Sequence, residues 1–348
     1  MQATARANTN IALIKYWGKR DEDLFLPMNS SISITLDQFY TTTTVQFCES
    51  ISADLFVFNQ QLANEAETLK VTRFLDIVRK MAGKEWFALV HSTNKVPTAA
   101  GLASSASGFA ALAAASAKAI GLDLEEKELS KLARQGSGSA SRSIFGGFVE
   151  WQKGTRTDGD DSYAKPILRE QDWKLSILSV IVASREKKVS SREGMRRTVE
   201  TSAFYSGWLE TVERDMEIAR AAINERDFER LGEVVEANAL KMHATTLGAK
   251  PPFTYWQKGT MEVMTLIQSL RAQGMAAYFT IDAGPNVKVL CLPKDEQRVR
   301  EKLLMLSTVQ HVYTCHPGSG ISFLPTSKNK KIPYDLESDR KDICYLSR

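Results

Sequence analysis

An alanine-dominated segment, residues 104–120, constrains the fold of this chain more than any other part of its sequence. Alanine has the highest helix propensity of the natural residues, and Gly121 follows the segment directly, at the place where a glycine commonly ends a helix. The segment therefore predicts one continuous helix. A loop of small residues, 97–107, runs directly into it.

This loop is the first of two candidate anion sites. It has no bulky polar side chain, so phosphate oxygens can approach the N–H groups and serine hydroxyls at the start of the following helix. The alternative is tight packing of the helix against a sheet, and spacing alone does not decide between the two. The loop matches neither the GxxxxGK[ST] pattern nor the dinucleotide-binding pattern, so these two types of nucleotide loop are not supported.

The second candidate anion site is the segment 136–143, which reads Gly-Ser-Gly-Ser-Ala-Ser-Arg-Ser. Arg142 can hold a phosphate or a carboxylate through two parallel hydrogen bonds. The hydroxyl donors around it are Ser137, Ser139 and Ser141. A flexible loop between two helices is the alternative, although apolar residues follow at once. Two anion sites in one chain indicate two phosphorylated ligands.

Two further groups of polar residues give weaker signals. Lys15, Tyr16 and Lys19 follow a strand-like segment and can form an anion pocket, but lysines at the end of a strand are common. Asp282 stands before a Gly-Pro turn, where it is either a base, an orienting carboxylate or a cap of its own backbone.

The remaining charged and titratable residues indicate no particular partner. The 45 lysines and arginines balance 41 aspartates and glutamates, which does not suggest a nucleic-acid surface. A basic group at Lys187, Lys188 and Arg192 is, on its pattern alone, typical of a solvated face. The four histidines share no metal-ligand spacing, so we assign them no role.

Strand-like and helical patterns alternate in the first half of the chain, and charged helical patterns dominate residues 190–243. We therefore predict domains at residues 1–184 and 185–326, followed by a charged tail at 327–348. A capping box at Asp123 and Glu126 is expected to begin a helix that Gly136 ends.

The chain has no sequence feature of a secreted or membrane protein. Its first ten residues are polar, and its longest apolar run, Leu175 to Ser184, is too short to cross a bilayer. The four cysteines lie far apart without CxxC spacing, which is typical of free thiols in a reducing compartment. We predict a cytoplasmic protein without a membrane partner.

Taken together, these segments closely resemble one family, the diphosphomevalonate decarboxylases of the GHMP kinase superfamily. The resemblance rests on Lys-Tyr-Trp-Gly-Lys at 15–19, Gly-Ser-Gly-Ser-Ala-Ser-Arg-Ser at 136–143 and Asp-Ala-Gly-Pro-Asn at 282–286. These strings are ordered and widely spread, and most of the chain lies within the extent of the family. Their combination separates the family from plain kinases of the superfamily.

The resemblance implies an α+β protein with the GHMP kinase fold. Its N-terminal α/β domain is similar to the second domain of ribosomal protein S5, its C-terminal α+β domain is ferredoxin-like, and the active site lies between them. It also implies that ATP, with Mg²⁺, phosphorylates the 3-hydroxyl of (R)-5-diphosphomevalonate, after which phosphate and carbon dioxide leave to give isopentenyl diphosphate. A homodimer is common in the family.

The resemblance also assigns roles to individual residues. Asp282 faces the 3-hydroxyl as base or orienting group, Arg142 stabilises charge on the carboxylate side of the substrate, and Lys187 assists phosphoryl transfer. The substrate-binding positions are Asn10, Tyr16, Trp17, Gly18, Lys19, Ser137, Gly138, Ser139, Ala140, Ser141, Arg142 and Arg192. The ATP-binding positions are Pro97, Ala100, Gly101, Ala103, Ser104, Ser105 and Ser107. Ser105 is also the candidate Mg²⁺ contact.

Two departures from the family pattern are visible. Ser141 stands where many members have cysteine, a change of similar size, and the charged tail is predicted to extend beyond the usual family end near Thr326.

Two alternatives remain. A sister enzyme that decarboxylates phosphomevalonate, or only phosphorylates a mevalonate hydroxyl, would keep most motifs, although the intact Lys-Tyr-Trp-Gly-Lys favours the diphosphate. A nucleic-acid-binding module is the alternative of a different class, because the N-terminal fold type has relatives among ribosomal proteins. The absence of a basic block among the motifs counts against it.

Overall fold

The computed structural model describes residues 1–95, 104–182 and 188–325. The strands are β1 (Gln2–Ile14), β2 (Lys19–Asp21), β3 (Leu26–Pro27), β4 (Ser31–Cys48), β5 (Leu55–Phe58), β6 (Gln61–Leu62), β7 (Phe87–Lys95), β8 (Phe148–Trp151), β9 (Ala164–Leu168), β10 (Ser176–Ile181), β11 (Ala277–Ile281), β12 (Val287–Cys291), β13 (His311–Cys315) and β14 (Ser322–Leu324). The helices are α1 (Glu65–Ala82), α2 (Ser104–Ile120), α3 (Glu126–Gly136), α4 (Ser191–Thr201), α5 (Tyr205–Glu225), α6 (Phe228–Leu247), α7 (Lys258–Ala272) and α8 (Glu296–Leu304). A 3₁₀ helix, Gly138–Ile144, lies between α3 and β8.

These elements form alternating layers of helices and sheets, as expected when each element must bury one apolar face. The larger sheet has the order β14-β1-β4-β7-β5-β6 with β8 and β9 joined to it through β4, and the smaller sheet has the order β11-β12-β10-β13. Helices α1, α2 and α3 cover one face of the larger sheet. Helices α5 and α6 share one apolar cluster with both sheets, while α7 and α8 cover the other face of the smaller sheet.

The alanine-rich segment forms α2 with the predicted bounds, and it packs against β1 and β4. A row of its alanines is completely buried, because short side chains let the helix backbone approach the sheet closely. The fully buried alanines are Ala106, Ala110, Ala111, Ala113, Ala114 and Ala115. Ser107 adds polar ties to the sheet, since its hydroxyl lies 2.8 Å from that of Thr41 and accepts a 3.3 Å bond from Thr9.

The sheet pairings cross the predicted domain limit at residues 184/185. Strand β10, which lies before that limit, pairs with β12 and β13 in the smaller sheet. Strand β14, near the end of the described chain, pairs with β1 in the larger sheet. The limits 1–184 and 185–326 stay a prediction, and the tail at 327–348 lies outside the described residues.

Most predicted elements are confirmed, but one local prediction and one of the alternatives weighed are wrong. Gly83 ends α1 with a φ of 61°, the left-handed conformation that glycine adopts without strain. The capping box at Asp123 is wrong, because α3 begins at Glu126 with Glu125 as its N-cap and no side-chain cap bond. The flexible loop weighed for 136–143 is also wrong, because these residues end α3 and form the 3₁₀ helix.

No helix in the described ranges is long and apolar enough to cross a membrane. Cys48, Cys291 and Cys315 are free thiols, in agreement with their sequence spacing.

A buried ion pair anchors α1, and we expect its loss to destabilise the protein strongly. Asp54 accepts bonds from Arg79 through both carboxylate oxygens (3.0 and 2.9 Å), and the Asp54 side chain is 1% exposed. Replacing Asp54 with alanine leaves the guanidinium buried without this partner, which we expect to lower the free energy of unfolding by about 3–5 kcal/mol. Urea unfolding followed by circular dichroism measures the change.

Asp76→Ala is the matched control. Asp76 bonds to the same guanidinium but has a side chain that is 61% exposed, so its loss should cost about 1 kcal/mol or less. Equal destabilisation by the two variants would contradict the assignment of the anchor to Asp54.

Candidate active site

An ion pair between distant parts of the chain marks the centre of the candidate site. Asp282 follows β11 directly, Lys15 follows β1 directly, and Lys15 Nζ lies 2.7 Å from Asp282 Oδ1. A second lysine, Lys288 on β12, places its Nζ 3.8 Å from Asp282 Oδ2. The two lysine side chains are 3% and 1% exposed, whereas that of Asp282 is 33% exposed. The carboxylate therefore has buried cations behind it and an accessible side in front.

Burial and charge act in opposite directions on these lysines. Burial lowers the pKa of Lys15 and of Lys288, and attraction to Asp282 opposes the shift in both. The positive charges of Lys288 and Arg142 lower the pKa of Lys15 further. Three cationic groups thus converge on one carboxylate, which gives a pocket suited to anionic ligands.

Arg142 lies in the 3₁₀ helix and is buried. Its Nη1 donates to Ser31 Oγ (2.6 Å) and its Nη2 donates to Asn10 Oδ1 (3.3 Å). Its Nε has no hydrogen-bond partner within the described ranges. Burial lowers the pKa of Arg142 to about 10, and the charge of Asp282 opposes that shift. A buried guanidinium with an unused donor fits an anion at this position.

Asn10 joins β1 to the 3₁₀ helix. Its Nδ2 donates to the backbone carbonyl of Ser139 (2.9 Å) and to Ser143 Oγ (2.7 Å), while its Oδ1 accepts from Arg142. All of its strong hydrogen-bonding groups are therefore used to fix the 3₁₀ helix and the guanidinium.

The 3₁₀ helix packs tightly at its first turn. A Cβ on Gly138 would lie 2.7 Å from the Trp151 ring and 3.0 Å from the Tyr16 ring, so a larger residue would displace both. Ser141 Oγ donates to the Gly138 carbonyl (2.7 Å), and Ala140 is fully buried. These two residues serve the local packing of the segment.

Tyr16 stands in the same wall. Its ring contacts Trp151 edge-on at 4.8 Å, and its hydroxyl is buried without a hydrogen-bond partner in the part of the chain that the structure describes. Burial raises the pKa of this hydroxyl, which is therefore a neutral donor available to a ligand.

The adjoining residues Trp17 and Gly18 are held by the helices of the second half of the chain. Trp17 Nε1 donates to Thr198 Oγ1 (2.8 Å), and the Tyr205 hydroxyl donates to the Trp17 carbonyl (2.8 Å). Gly18 has a φ of 98°, and a Cβ there would lie 2.0 Å from the Tyr205 hydroxyl. These contacts of Trp17 and Gly18 are thus with other parts of the protein, which gives both predicted positions a structural role.

The structure brings Lys19 and Arg192 to the same aromatic ring. Lys19 Nζ lies 4.3 Å, and the Arg192 guanidinium carbon 5.7 Å, from the centre of the Phe25 ring. Lys19 also forms an ion pair with Glu22. The β2–β3 hairpin and α4 therefore each bring a cation to Phe25 near Tyr16, whose pKa is influenced by the charges of Glu22 and Arg192.

The two candidate anion segments meet at their serines. Ser137 Oγ lies 3.4 Å from Ser105 Oγ and 3.3 Å from Ser139 Oγ. Ser107 is buried in its contacts with the sheet, which confirms the packing interpretation for this residue, and anion binding at the start of α2 stays a prediction. The side of α2 that carries Ser105 is accessible, and the side that carries Ser107 packs against the larger sheet.

Several predicted residues cannot be placed. Lys187 lies outside the described residues, as do Pro97, Ala100, Gly101 and Ala103. Ser104 is described only as the first residue of α2.

A cavity of about 300 Å³ opens beside Ser105. It is bounded by α1, α2, β5 and β7, with aromatic walls at Phe56 and Phe58 and polar groups at Lys70 and Asn94. Its mixed lining suits a flat aromatic ligand with polar edges. The described residues contain no group of three or more His, Cys, Asp or Glu side chains that could hold a metal ion.

Three residues that contact this site were not predicted. Lys288 stands within the apolar sequence Val-Lys-Val-Leu. A lysine inside a strand that is otherwise apolar could have identified it as a candidate site residue. Ser31, which accepts from Arg142, gave no signal of its own. His243 gave none either, although its Nε2 lies 3.3 Å from the carbonyl oxygen of Ile281, the residue before Asp282.

His243 should make stability depend on pH. Burial lowers its pKa from 6.5 to about 4, and the positive charge of Lys15 acts in the same direction. As the pH falls below 6.5 the unfolded chain takes up a proton that the folded chain does not, so stability falls from pH 6.5 to 4 by up to about 3 kcal/mol. We expect His243→Gln to lose this component, which urea unfolding at several pH values would measure. Equal pH dependence in the two proteins would contradict the buried neutral imidazole.

Comparison with known proteins agrees with this geometry. Residues 7–164 match the family described as "Diphosphomevalonate decarboxylase-like N-terminal domain", and residues 177–343 match "Mevalonate 5-diphosphate decarboxylase C-terminal domain". The segment 327–343, predicted to lie beyond the usual end of the family, falls within the second match. The human diphosphomevalonate decarboxylase is 37% identical over 96% of this chain and 85% of its own length.

Solved structures are similar over nearly the whole chain. A structure of "MDDEF in complex with MVAPP, AMPPCP and Magnesium" is 53% identical, with a TM-score of 0.88, and the match covers 94% of this chain and 99% of that chain. A structure of the mevalonate diphosphate decarboxylase from Enterococcus faecalis is 52% identical, with a TM-score of 0.87 and the same coverage of both chains. The predicted α+β GHMP kinase fold is confirmed by this similarity. From sequence and structure alike, the chain belongs to the diphosphomevalonate decarboxylase family.

Proposed function

We propose that this chain catalyses the ATP-dependent decarboxylation of (R)-5-diphosphomevalonate to isopentenyl diphosphate, ADP, phosphate and carbon dioxide. The observation that carries the proposal is the accessible carboxylate of Asp282, paired with Lys15 and facing the same pocket as Arg142. The family of the chain supports it, as does the 53% identical protein whose structure holds MVAPP, AMPPCP and magnesium.

The chemistry requires a tertiary alcohol to leave. Hydroxide is a poor leaving group, so the γ-phosphoryl group of ATP is first transferred to the 3-hydroxyl oxygen. The bond to ADP breaks with its electron pair on ADP, and the hydroxyl proton is lost to Asp282 or to water. The C3–O bond then breaks with its electron pair on phosphate, and the bond to the carboxylate supplies the electrons of the new double bond as carbon dioxide departs. The site must therefore orient the hydroxyl and stabilise the charges of both departing groups.

Asp282 is proposed to orient the 3-hydroxyl. Its carboxylate accepts the hydroxyl hydrogen bond, which directs a lone pair of the oxygen towards the incoming phosphoryl group. Pairing with Lys15 at 2.7 Å stabilises the anion and so favours orientation over strong basicity. Lys187 keeps its proposed role in phosphoryl transfer from the family resemblance alone.

Arg142 is proposed to bind the carboxylate side of the substrate. Its Nη atoms are held by Ser31 and Asn10, so the fork is fixed in place before the ligand arrives. A bound anion would accept hydrogen bonds from the unused Nε of Arg142 and from the nearby Tyr16 hydroxyl. Such preorganisation lowers the cost of orienting charged groups during the reaction.

The diphosphate is proposed to bind between the hairpin and the serine segment. Lys19 and Arg192 supply the charges around Phe25, while Ser137 and Ser139 supply hydroxyl donors. The contacts of Trp17, Gly18, Gly138, Ala140 and Ser141 support these groups by packing. The monophosphate would use fewer of the same contacts, which is why substrate preference has to be measured.

ATP is proposed to place its base and ribose in the cavity beside Ser105, with its phosphates at the start of α2. The cavity volume of about 300 Å³ and its aromatic walls support this placement. In the absence of an acidic cluster among the described residues, Mg²⁺ would be held largely by phosphate oxygens, with the Ser105 hydroxyl as the protein contact. When bound there, magnesium would neutralise part of the charge of the transferred phosphoryl group.

From the family resemblance we also propose a homodimeric assembly and a cytoplasmic location.

The central experiment measures ATP-dependent release of carbon dioxide from (R)-5-diphosphomevalonate, with the monophosphate assayed in parallel. We expect release from the diphosphate and a fall in kcat of about 10²- to 10⁴-fold in Asp282→Asn, which keeps the size of the side chain but removes its charge. Phosphoryl transfer without carbon dioxide, or preference for the monophosphate, would move the chain to a sister activity.

A steric change tests the ATP cavity separately. Gly108 lines the cavity and a Cβ there would meet nothing within 4 Å, so Gly108→Leu should fill the space without disturbing the helix. We expect the KM for ATP to rise by about tenfold or more, equivalent to about 1.4 kcal/mol of lost binding, with little change in the KM for diphosphomevalonate.

Gly207→Leu is the matched control for this variant. Gly207 also lies in a helix, α5, with open space around its Cα, but it does not line the cavity. An unchanged KM for ATP in Gly108→Leu would place the nucleotide elsewhere.

A further inference from the structure

Lys288 is a buried cation that the scheme above does not use. Its side chain is 1% exposed, and its Nζ has two long contacts, 3.4 Å to the Asn286 carbonyl oxygen and 3.8 Å to Asp282 Oδ2. All five residues of β12 are buried, and its neighbours Val287 and Val289 are apolar. An unbranched apolar side chain would fill this position without the cost of burying an ammonium group. The fold alone therefore gives no reason for a lysine here.

The two oxygens of Asp282 face different ammonium groups. Lys15 Nζ lies 2.7 Å from Oδ1 and also donates to the Ala12 carbonyl at 2.9 Å, while Lys288 approaches Oδ2. The two cations come from distant parts of the chain, Lys15 directly after β1 and Lys288 within β12, and each lies nearest to a different oxygen of the carboxylate. Loss of either leaves one oxygen without its described cation.

Within residues 1–95, 104–182 and 188–325, two other titratable groups lie near Asp282, and neither takes the place of Lys288. Arg142 of the 3₁₀ helix lies within electrostatic range but uses its Nη atoms on Ser31 and Asn10. His243 of α6 is buried, and its low pKa of about 4 leaves it neutral at physiological pH. Lys15 and Lys288 are thus the two cations in direct contact with the carboxylate among the described residues.

We propose that Lys288 is a positioning residue for the reaction: it holds Asp282 Oδ2 in place and keeps the carboxylate ionised when the pH falls. The inference rests on the proposed function, because it names what controls the group that orients the 3-hydroxyl. The attraction is mutual, so a carboxylate that favours the charged lysine is itself favoured as an anion by that lysine. Lys288 acts through Asp282 and makes no contact with substrate.

The test follows the protonation of Asp282 directly, by ¹³C NMR of protein labelled at the aspartate side-chain carboxyl carbons. Asp282→Asn identifies the resonance. In Lys288→Met, which keeps the length of the side chain, we expect the midpoint of its titration to rise by about one pH unit or more. Lys131→Met is the matched control, because Lys131 pairs with Glu128 and Asp160 on the outer surface and should leave that resonance unchanged.

Kinetics and stability give two further readouts. In Lys288→Met the acidic limb of the pH profile of kcat should move to higher pH, together with the midpoint of the Asp282 titration. Lys288→Arg should restore the wild-type profile in part because it keeps the positive charge. Lys288→Met should unfold no more easily than the wild type, since it removes a buried charge with long contacts. If Lys288→Met fails to fold, Lys288→Gln takes its place in these measurements.

The outcomes separate the possible errors. An unchanged Asp282 titration in a folded Lys288 variant overturns the inference, as does a large loss of stability with no shift of the acidic limb, which would indicate a purely structural lysine. Failure of the wild type to release carbon dioxide overturns the proposed function instead, while the NMR titration still decides what Lys288 does to Asp282.

Discussion

The whole candidate site depends on one electrostatic constraint, the burial of positive charge where β1 meets the turn between β11 and β12. Lys15 and Asp282 are 267 residues apart in sequence and 2.7 Å apart in space. Such a pair is costly to bury unless the surrounding structure fixes both partners. That fixing is visible around Lys15, whose backbone N–H donates to Asn238 and whose carbonyl accepts from Asn29. Helix α6 and the segment between β3 and β4 therefore both hold the lysine on which the carboxylate depends.

Much of the fold was predictable because its strongest elements have local causes. The alanine-rich helix α2, the long strand β4 and the hairpin of β11 and β12 follow from propensity, alternation and turn residues. The 3₁₀ helix was not predictable, since it is fixed by distant partners: Asn10 bonds to it from β1, and Trp151 packs on it from β8. The start of α3 was missed because its N-cap, Glu125, makes no side-chain cap bond, so no capping pattern marks the position.

The site was predictable in kind but not in detail. Asp282 and Arg142 carry recognisable sequence contexts, whereas Lys288 and Ser31 act only through contacts that folding creates. Patterns also could not tell packing from binding within one segment: Ser107 ties α2 to the sheet, while Ser105, two residues earlier, faces the cavity. Two residues along a helix turn the side-chain direction by about 200°, so the two serines lie on nearly opposite faces of α2, and periodicity alone does not say which face meets a ligand.

The return of β14 to the larger sheet has a consequence for how the protein is made. Strand β1 leaves the ribosome well before the neighbour on its outer edge, β14, because most of the described chain lies between the two strands. Until residues 322–324 emerge, that edge exposes unpaired backbone groups of the kind that join to other chains. Completion of the larger sheet must therefore wait until β14 has been synthesised, and the growing chain depends during that interval on whatever shields an open strand.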